Sequence, residues 1–276
     1  SYSNIQCGSL VKYDSEGILQ WANILTTNGQ NYGTSTDIYS KLTSSNLYVT
    51  FNSITNISTL SNLNIYNINK SYNYIQTPIF TYNIQSSSTL SSLYIFNTYT
   101  GYILNNYYSI TSNVITQSSI TSRSLLHNNS NIYTCYSTPY ANAIDQVSIS
   151  YPYNNSQSYI YITNNGPGII ITAFSEYLTY LWNVVIQHSI YDTSIIAYIV
   201  KDTYSTNITV IGNYKGPVIF YNADNSTTFN LQSPLYNNTY VYVAKYNKTG
   251  KCIWVTYFAS SETTVNDIYC SLYDSI

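Results

Sequence analysis

The chain has 276 residues, enough to bury a substantial core, and its 16% aromatic content lies almost wholly in 35 tyrosines. Charged residues make up only 7%, which with so many aromatics excludes a disordered chain, whose mark is the reverse. A formal net charge of −2 gives little long-range field and argues against nucleic acid or an acidic membrane as a partner.

Polarity comes instead from Ser, Thr, Asn and Tyr. Such a surface has weak colloidal repulsion and suits a subunit that hides it in an assembly. No 18-residue apolar run is present, so no membrane span is expected. The four cysteines, Cys7, Cys135, Cys252 and Cys270, lack Cys-x-x-Cys spacing, and there are only two His, which argues against a zinc site and for buried thiols. Met is absent, even at position 1, so the chain is expected to start after processing or to belong to a longer product.

In chain order, "LVKYDSEGILQWANIL" from Leu10 predicts a hairpin whose turn "DSEG" ends on Gly17, free to take φ > 0, four residues before Trp21. Two strands, "DIYSKL" and "NLYVTF", follow around Asn46, joined by a Ser/Asn turn. A third pattern, "LNIYNINKS", surrounds Tyr66. The same three patterns then return in the same order. "YIFNTYTGYILNNYYSI" keeps Gly101 but has Asn105 where Trp is expected; "LLHNNSNIYTCY" surrounds Asn131 and "VSISYPYNNS" surrounds Tyr151. Next, "AFSEYLTYLWNVVIQ" keeps Trp182 without the Gly, "VKDTYSTNITVIG" surrounds Asn207, and "VIFYNADNS" surrounds Tyr221. "AKYNKTGKCIWVTYF" finally restores both Gly250 and Trp254. From Asn46 to Asn131 is 85 residues and from Asn131 to Asn207 is 76, a period that signals a repeat architecture.

No stretch has the apolar spacing of a long helix, so each repeat reads as four antiparallel strands, one blade of an all-β, four-bladed β-propeller. The expected organisation is a single domain over 1–276, with repeats at roughly 10–93, 94–172, 173–240 and 241–276, the last completed by 1–9. The N-terminal strand, Asn4 to Cys7, is expected to pair in the blade of Trp254 and close the ring. Trp21, Trp182 and Trp254 should then be equivalent and buried, with Tyr48, Tyr133 and Thr209 on neighbouring strands. Cys252 and Cys270 should lie on adjacent strands as free thiols.

A catalytic set is not apparent. His127, in "LLHNNSN", reads as a turn residue, and His188 with Asp192 four residues on is a pairing common by chance. Asp14, Glu16, Asp224 and Asp274 read as turn residues, and Asp37 and Asp267, each before "IY", as structural. "NNGPG", Asn164 to Gly168, reads as a turn. No calcium loop or phosphate loop occurs, so no metal, cofactor or enzymatic activity is expected. The one series that recurs at matching positions is Tyr66, Tyr151 and Tyr221, suited either to blade packing or to a ligand surface.

The Lys-Tyr-x-x-x-Gly-x-x-x-Trp phrase, the "NLYVTF" strand and the "IFYNADNSTTFNL" segment resemble β-propeller repeat proteins of the SBBP type. The long blade with its "YNAD" segment is similar to repeat proteins encoded by giant viruses of amoebae. The likeness covers most of the chain, strongest from Val210 to Tyr257 and from Leu10 to Phe51 and weak from Ser71 to Ser119. It implies a non-enzymatic scaffold or binding role, in virions or at cell surfaces, and carries no catalytic residues to map. The chain departs from it in its few Lys, its lost Trp and its longer first two repeats. The leading expectation is a virion or extracellular assembly subunit that associates with itself or with other assembly proteins. The alternative is a lectin-like propeller module binding glycans or protein on a cell or virus surface. A glycan-degrading enzyme is the third.

Overall fold

A computed structural model describes residues 7–28, 38–42, 45–55, 61–69, 80–84, 88–112, 121–128, 130–138, 145–150, 157–162, 168–189, 197–201, 205–232 and 238–258. All of their regular structure is strand, as β-branched and aromatic residues alternating between polar turns dictate.

The strands come as ten consecutive hairpins. The first four are β1 (Cys7–Tyr13) with β2 (Leu19–Asn28), β3 (Ile38–Leu42) with β4 (Asn46–Thr55), β5 (Ser61–Asn69) with β6 (Phe80–Ile84), and β7 (Ser88–Asn97) with β8 (Ile103–Ser112). Three more are β9 (Thr121–Asn128) with β10 (Asn131–Thr138), β11 (Asp145–Ser150) with β12 (Gln157–Ile162), and β13 (Gly168–Ser175) with β14 (Tyr180–Gln187). The last are β15 (Ala197–Lys201) with β16 (Ile208–Tyr214), β17 (Val218–Tyr221) with β18 (Thr227–Leu231), and β19 (Tyr240–Tyr246) with β20 (Cys252–Phe258).

Consecutive hairpins do not stack into one sheet. They alternate between two, giving sheet 1 (β1-β2-β5-β6), sheet 2 (β12-β11-β8-β7-β4-β3), sheet 3 (β18-β17-β14-β13-β10-β9) and sheet 4 (β15-β16-β19-β20). Sheets 1 and 4 carry the four strands expected of a blade, while sheets 2 and 3 carry six, because each of the first three repeats supplies three hairpins. The added pair is the hairpin of the third pattern, which joins the outer side of the preceding Gly-turn hairpin, as β17 joins β14 through Ile186 opposite Phe220.

A closed ring is not seen among the described residues. Cys7 lies in β1 opposite Thr26 of β2, not in the sheet of Trp254, and residues 1–6 lie outside the described ones. The described residues fall into two compact units, one holding sheets 1 and 2 and the other sheets 3 and 4.

In the first unit the middle of β7, Leu93 to Phe96, is buried on both faces, as a central strand of a wide sheet requires. In the second unit β13 is buried from Gly168 to Phe174 for the same reason. Sheets 3 and 4 share one core here. Phe220 of sheet 3 meets Tyr242 of sheet 4 edge to face at 5.2 Å, and Tyr214 flanks Tyr242 at 6.1 Å. Tyr242 lies across Gly212, its direct cross-strand partner, where an added Cβ would sit 2.3 Å from the tyrosine hydroxyl. Gly212 is thus the space that lets a tyrosine fill this core.

Candidate functional site

The turn phrase of the repeat is capped by a side-chain oxygen in all four copies, with one residue more in the second, where Gly101 N–H donates to Asn97 C=O four residues back. In the first copy Gly17 N–H donates to Asp14 C=O at 3.1 Å, while Asp14 Oδ1 accepts from the N–H groups of Glu16 and Ile18. Asn97, Ser175 and Asn247 repeat this capping: each accepts two backbone N–H groups on its side-chain oxygen. The turn closes on a left-handed residue, with φ of 79° at Gly17, 72° at Gly101, 62° at Leu178 and 77° at Gly250. Leu178 shows that the turn forms even where the Gly is lost.

Each turn of this kind is a possible seat for a tryptophan, and two are occupied. In the first unit Trp21 Nε1 of sheet 1 donates to Thr98 C=O of the sheet 2 turn at 3.1 Å, and Lys12 Nζ, across the strand from it, donates to the same carbonyl at 2.6 Å. In the second unit Trp182 Nε1 of sheet 3 donates to Lys248 C=O of the sheet 4 turn at 2.8 Å. Thr98 follows Asn97 as Lys248 follows Asn247, so the accepted carbonyl is the same one. A Cβ at Gly101 would stand 2.7 Å from Trp21 Cδ2, and one at Gly250 3.0 Å from Trp182 Cδ2. The Gly is therefore needed twice, for its φ and for the indole lying on it.

The Gly carbonyl is held in both joints, by different donors. Asn23 Nδ2 donates to Gly101 C=O at 2.8 Å and its Oδ1 accepts from Asn67 Nδ2 at 2.8 Å, both residues being buried. In the second unit the backbone N–H of Ala223 donates to Gly250 C=O at 3.0 Å, while Asn222 Oδ1 accepts from Cys252 N–H at 2.8 Å. Beside this second joint lies a cleft of about 780 Å³, bordered by Tyr180, Leu181, Trp182, Asp224, Lys248 and Lys251.

The register places Trp21 opposite Lys12, Asn105 opposite Ile95, Trp182 opposite Ala173 and Trp254 opposite Lys245, each just before a bulge. The four copies are therefore equivalent, including the one that lost its Trp. Tyr48 opposite Ile95, Tyr133 opposite Ala173 and Thr209 opposite Lys245 continue the same rows. With only Ala173 between them, Tyr133 and Trp182 approach to 5.8 Å. Burial does not follow equivalence: Trp21 and Trp182 are 2% and 7% exposed, but Trp254 is 39% exposed. The expected burial of Trp254 is corrected accordingly.

The tyrosine series is only partly within the described residues. Tyr66 lies in β5 opposite Ile24, and Tyr221, in β17, donates its hydroxyl to Gln187 Oε1 at 3.1 Å. Tyr151 lies outside the described residues. The residues that matter at the joints come one position later, Asn67 and Asn222. Their recurrence after the two tyrosines was readable, but nothing in the sequence said which turn they would meet.

His127 is at the end of β9 opposite Ile132, not in the turn expected for it. His188 is buried with its ring 5.9 Å from Tyr242, and Asp192 lies outside the described residues. Asp14 and Asp224 are turn residues, and the hydrogen bonds from Ser226 hold the Asp224 carboxyl below its usual range. Asp37, Asp267 and Asp274 lie outside the described residues, as does Asn164 to Pro167 of "NNGPG"; Gly168 opens β13. Cys135 and Cys252 are free buried thiols, and Cys270 lies outside the described residues. Burial pushes the Cys252 thiol up to about 12, so it stays protonated at neutral pH and is a poor nucleophile.

Among the described residues no group of His, Cys, Asp and Glu could hold a metal ion, and no helix is long and apolar enough to cross a membrane. The arrangement is built for contact between sheets: an indole, a carbonyl and a left-handed glycine fixed in one geometry. The chain matches no protein-family model, no curated protein and no solved structure.

Proposed function

We propose that the protein is a non-enzymatic structural or interaction subunit of a virion or an extracellular assembly, its four sheets serving as the blades of a propeller. The observation that carries this reading is the joint itself. The chain uses two of its three tryptophans and two left-handed turns to lock one sheet onto the next, twice in the same way. Joints of this kind stack repeats into a rigid array and do not prepare a reacting group. The sparse charge and abundant Tyr and Asn suit surfaces that meet other protein surfaces. Electron microscopy of native material, with the chain located by a specific antibody, tests this. Regular labelling of a particle or extracellular matrix is the expected result, and label found only on dispersed molecules would overturn it.

The cleft beside Trp182 favours a second reading, a binding module for glycans or protein. It offers an aromatic wall, with Tyr180 and Trp182, and polar groups of both signs, Asp224 and Lys251, within one recess. Saturable binding on a glycan array, lost on Asp224→Ala, is its expected result; no binding to any glycan would remove it.

A further inference from the structure

The second joint carries charges at places where the first has none. Lys248 and Lys251 stand either side of Gly250 on its turn, and Asp224 lies on the turn between β17 and β18. All three border the cleft of about 780 Å³ within the second unit. In the first joint Thr98 and Tyr102 stand at the positions of the two lysines. Asn69 follows Asn67 there as Asp224 follows Asn222, two residues on. Trp21 nevertheless seats on its left-handed Gly in the same way. In a chain only 7% charged, the charges around this recess therefore serve something other than the joint.

Their bonding points the same way. Asp224 takes both the N–H and the hydroxyl of Ser226 on Oδ1, which leaves Oδ2 to accept from a ligand. Neither lysine ammonium makes a hydrogen bond or an ion pair among the described residues, and Lys251 acts on the Asp224 carboxyl only through space. Leu181, 44% exposed, and the ring of Tyr180 give the cleft an apolar wall. The Tyr180 hydroxyl already donates to Asn183 Oδ1, so this tyrosine offers its ring.

We infer that this cleft takes an acidic saccharide, its carboxylate or sulfate lying on Lys248 and Lys251. The sugar ring rests on Tyr180 and Leu181, and a ring hydroxyl donates to Asp224 Oδ2. Two ammonium groups against one carboxylate select an anion. The carboxylate beside them selects one that also brings hydroxyls, since an acidic peptide would meet it only with like charge. The inference rests on the binding-module reading above and names its ligand class.

The test titrates the full chain calorimetrically with galacturonate hexamer and its methyl ester, with sulfated and unsulfated cellohexaose, and with hexaglutamate. The acidic member of at least one sugar pair should bind about tenfold or more tightly than its neutral partner and than hexaglutamate. The two pairs tell carboxylate from sulfate. Lys248→Gln and Lys251→Gln should each weaken that binding by about tenfold, with urea midpoints unchanged because both side chains are exposed. Asp224→Ala should weaken it too, whereas loose attraction of a polyanion to the lysines would strengthen once a carboxylate is removed. Equal binding of acidic and neutral sugars would overturn the acid preference and leave the binding-module reading standing. Acid binding that survives both lysine substitutions, or that hexaglutamate matches, would overturn the saccharide site. Binding of none of these probes would overturn the inference, and the wider glycan array would then decide the binding-module reading separately.

Discussion

The two occupied joints reach one geometry by different chemistry. In the first unit the turn is held by a polar set, Lys12, Asn23 and Asn67, around Trp21. In the second, Ala173 stands where Lys12 does and Val184 where Asn23 does, and the turn is held by the Ala223 N–H and the Asn222 side chain around Trp182. What is common to both is the indole, the carbonyl after the capping Asn and the left-handed Gly. The difference teaches that the backbone turn and the tryptophan define the joint, and that the surrounding side chains only satisfy whatever polar atoms they bury.

The largest expected effect comes from removing the indole. Trp182→Ala should cost about 3–5 kcal/mol in urea unfolding, because it empties a buried site and leaves the Lys248 carbonyl without its donor. Trp21→Ala should cost a similar amount, while the exposed Trp254→Ala should stay within about 0.5 kcal/mol at concentrations where the chain is monomeric. Equal losses at all three would break the distinction between occupied and bare copies.

Next come the glycines. Gly250→Ala brings both the left-handed strain and a clash, its Cβ lying 2.7 Å from that of Ala223, and should cost about 2–5 kcal/mol. Gly17→Ala carries the strain alone, about 1–2 kcal/mol. The gap between the two measures what the indole and Ala223, packed together on the turn, add.

How much of this was readable can be traced residue by residue. The turns were: a capping Asp or Asn and a Gly three or four residues on carry their own local chemistry, and Gly17, Gly101 and Gly250 took the expected backbone. The rows were too, since Tyr48, Tyr133 and Thr209 lie in equivalent register. The alternation of hairpins between sheets was not. A hairpin has the same local sequence whether its next neighbour in the sheet is the next hairpin or the one after, so β3 and β4 look alike in either topology. The exposure of Trp254 was also hidden, because a tryptophan is buried here by a turn far away in sequence and not by its own strand. Asn67 and Asn222 escaped notice for the same reason.

A smaller effect separates the two joints. Asn23→Val copies the second unit's Val184 into the first, yet there it leaves the Gly101 carbonyl and Asn67 Nδ2 without their partner. It should cost about 1–3 kcal/mol by urea unfolding. A neutral result would mean that the polar set is decoration.

The last effect is alkaline. The folded Cys252 thiol is pushed up to about 12 from 9.0 by burial, so between these values the unfolded chain loses a proton that the folded chain keeps. Stability from this group is whole below pH 9.0 and falls as pH rises towards 12. Unfolding followed across that window should fall less steeply in Cys252→Ala, and an identical slope would remove Cys252 from the cause.

The most direct measurement of the joint is a double-mutant cycle between Trp182→Ala and Gly250→Ala by equilibrium unfolding. If the indole seats on that turn, removing it relieves its share of the crowding at position 250, where a Cβ would meet Ala223 as well, and the two losses should fall short of their sum by about 1–3 kcal/mol. Losses that add to within about 0.5 kcal/mol would contradict the joint.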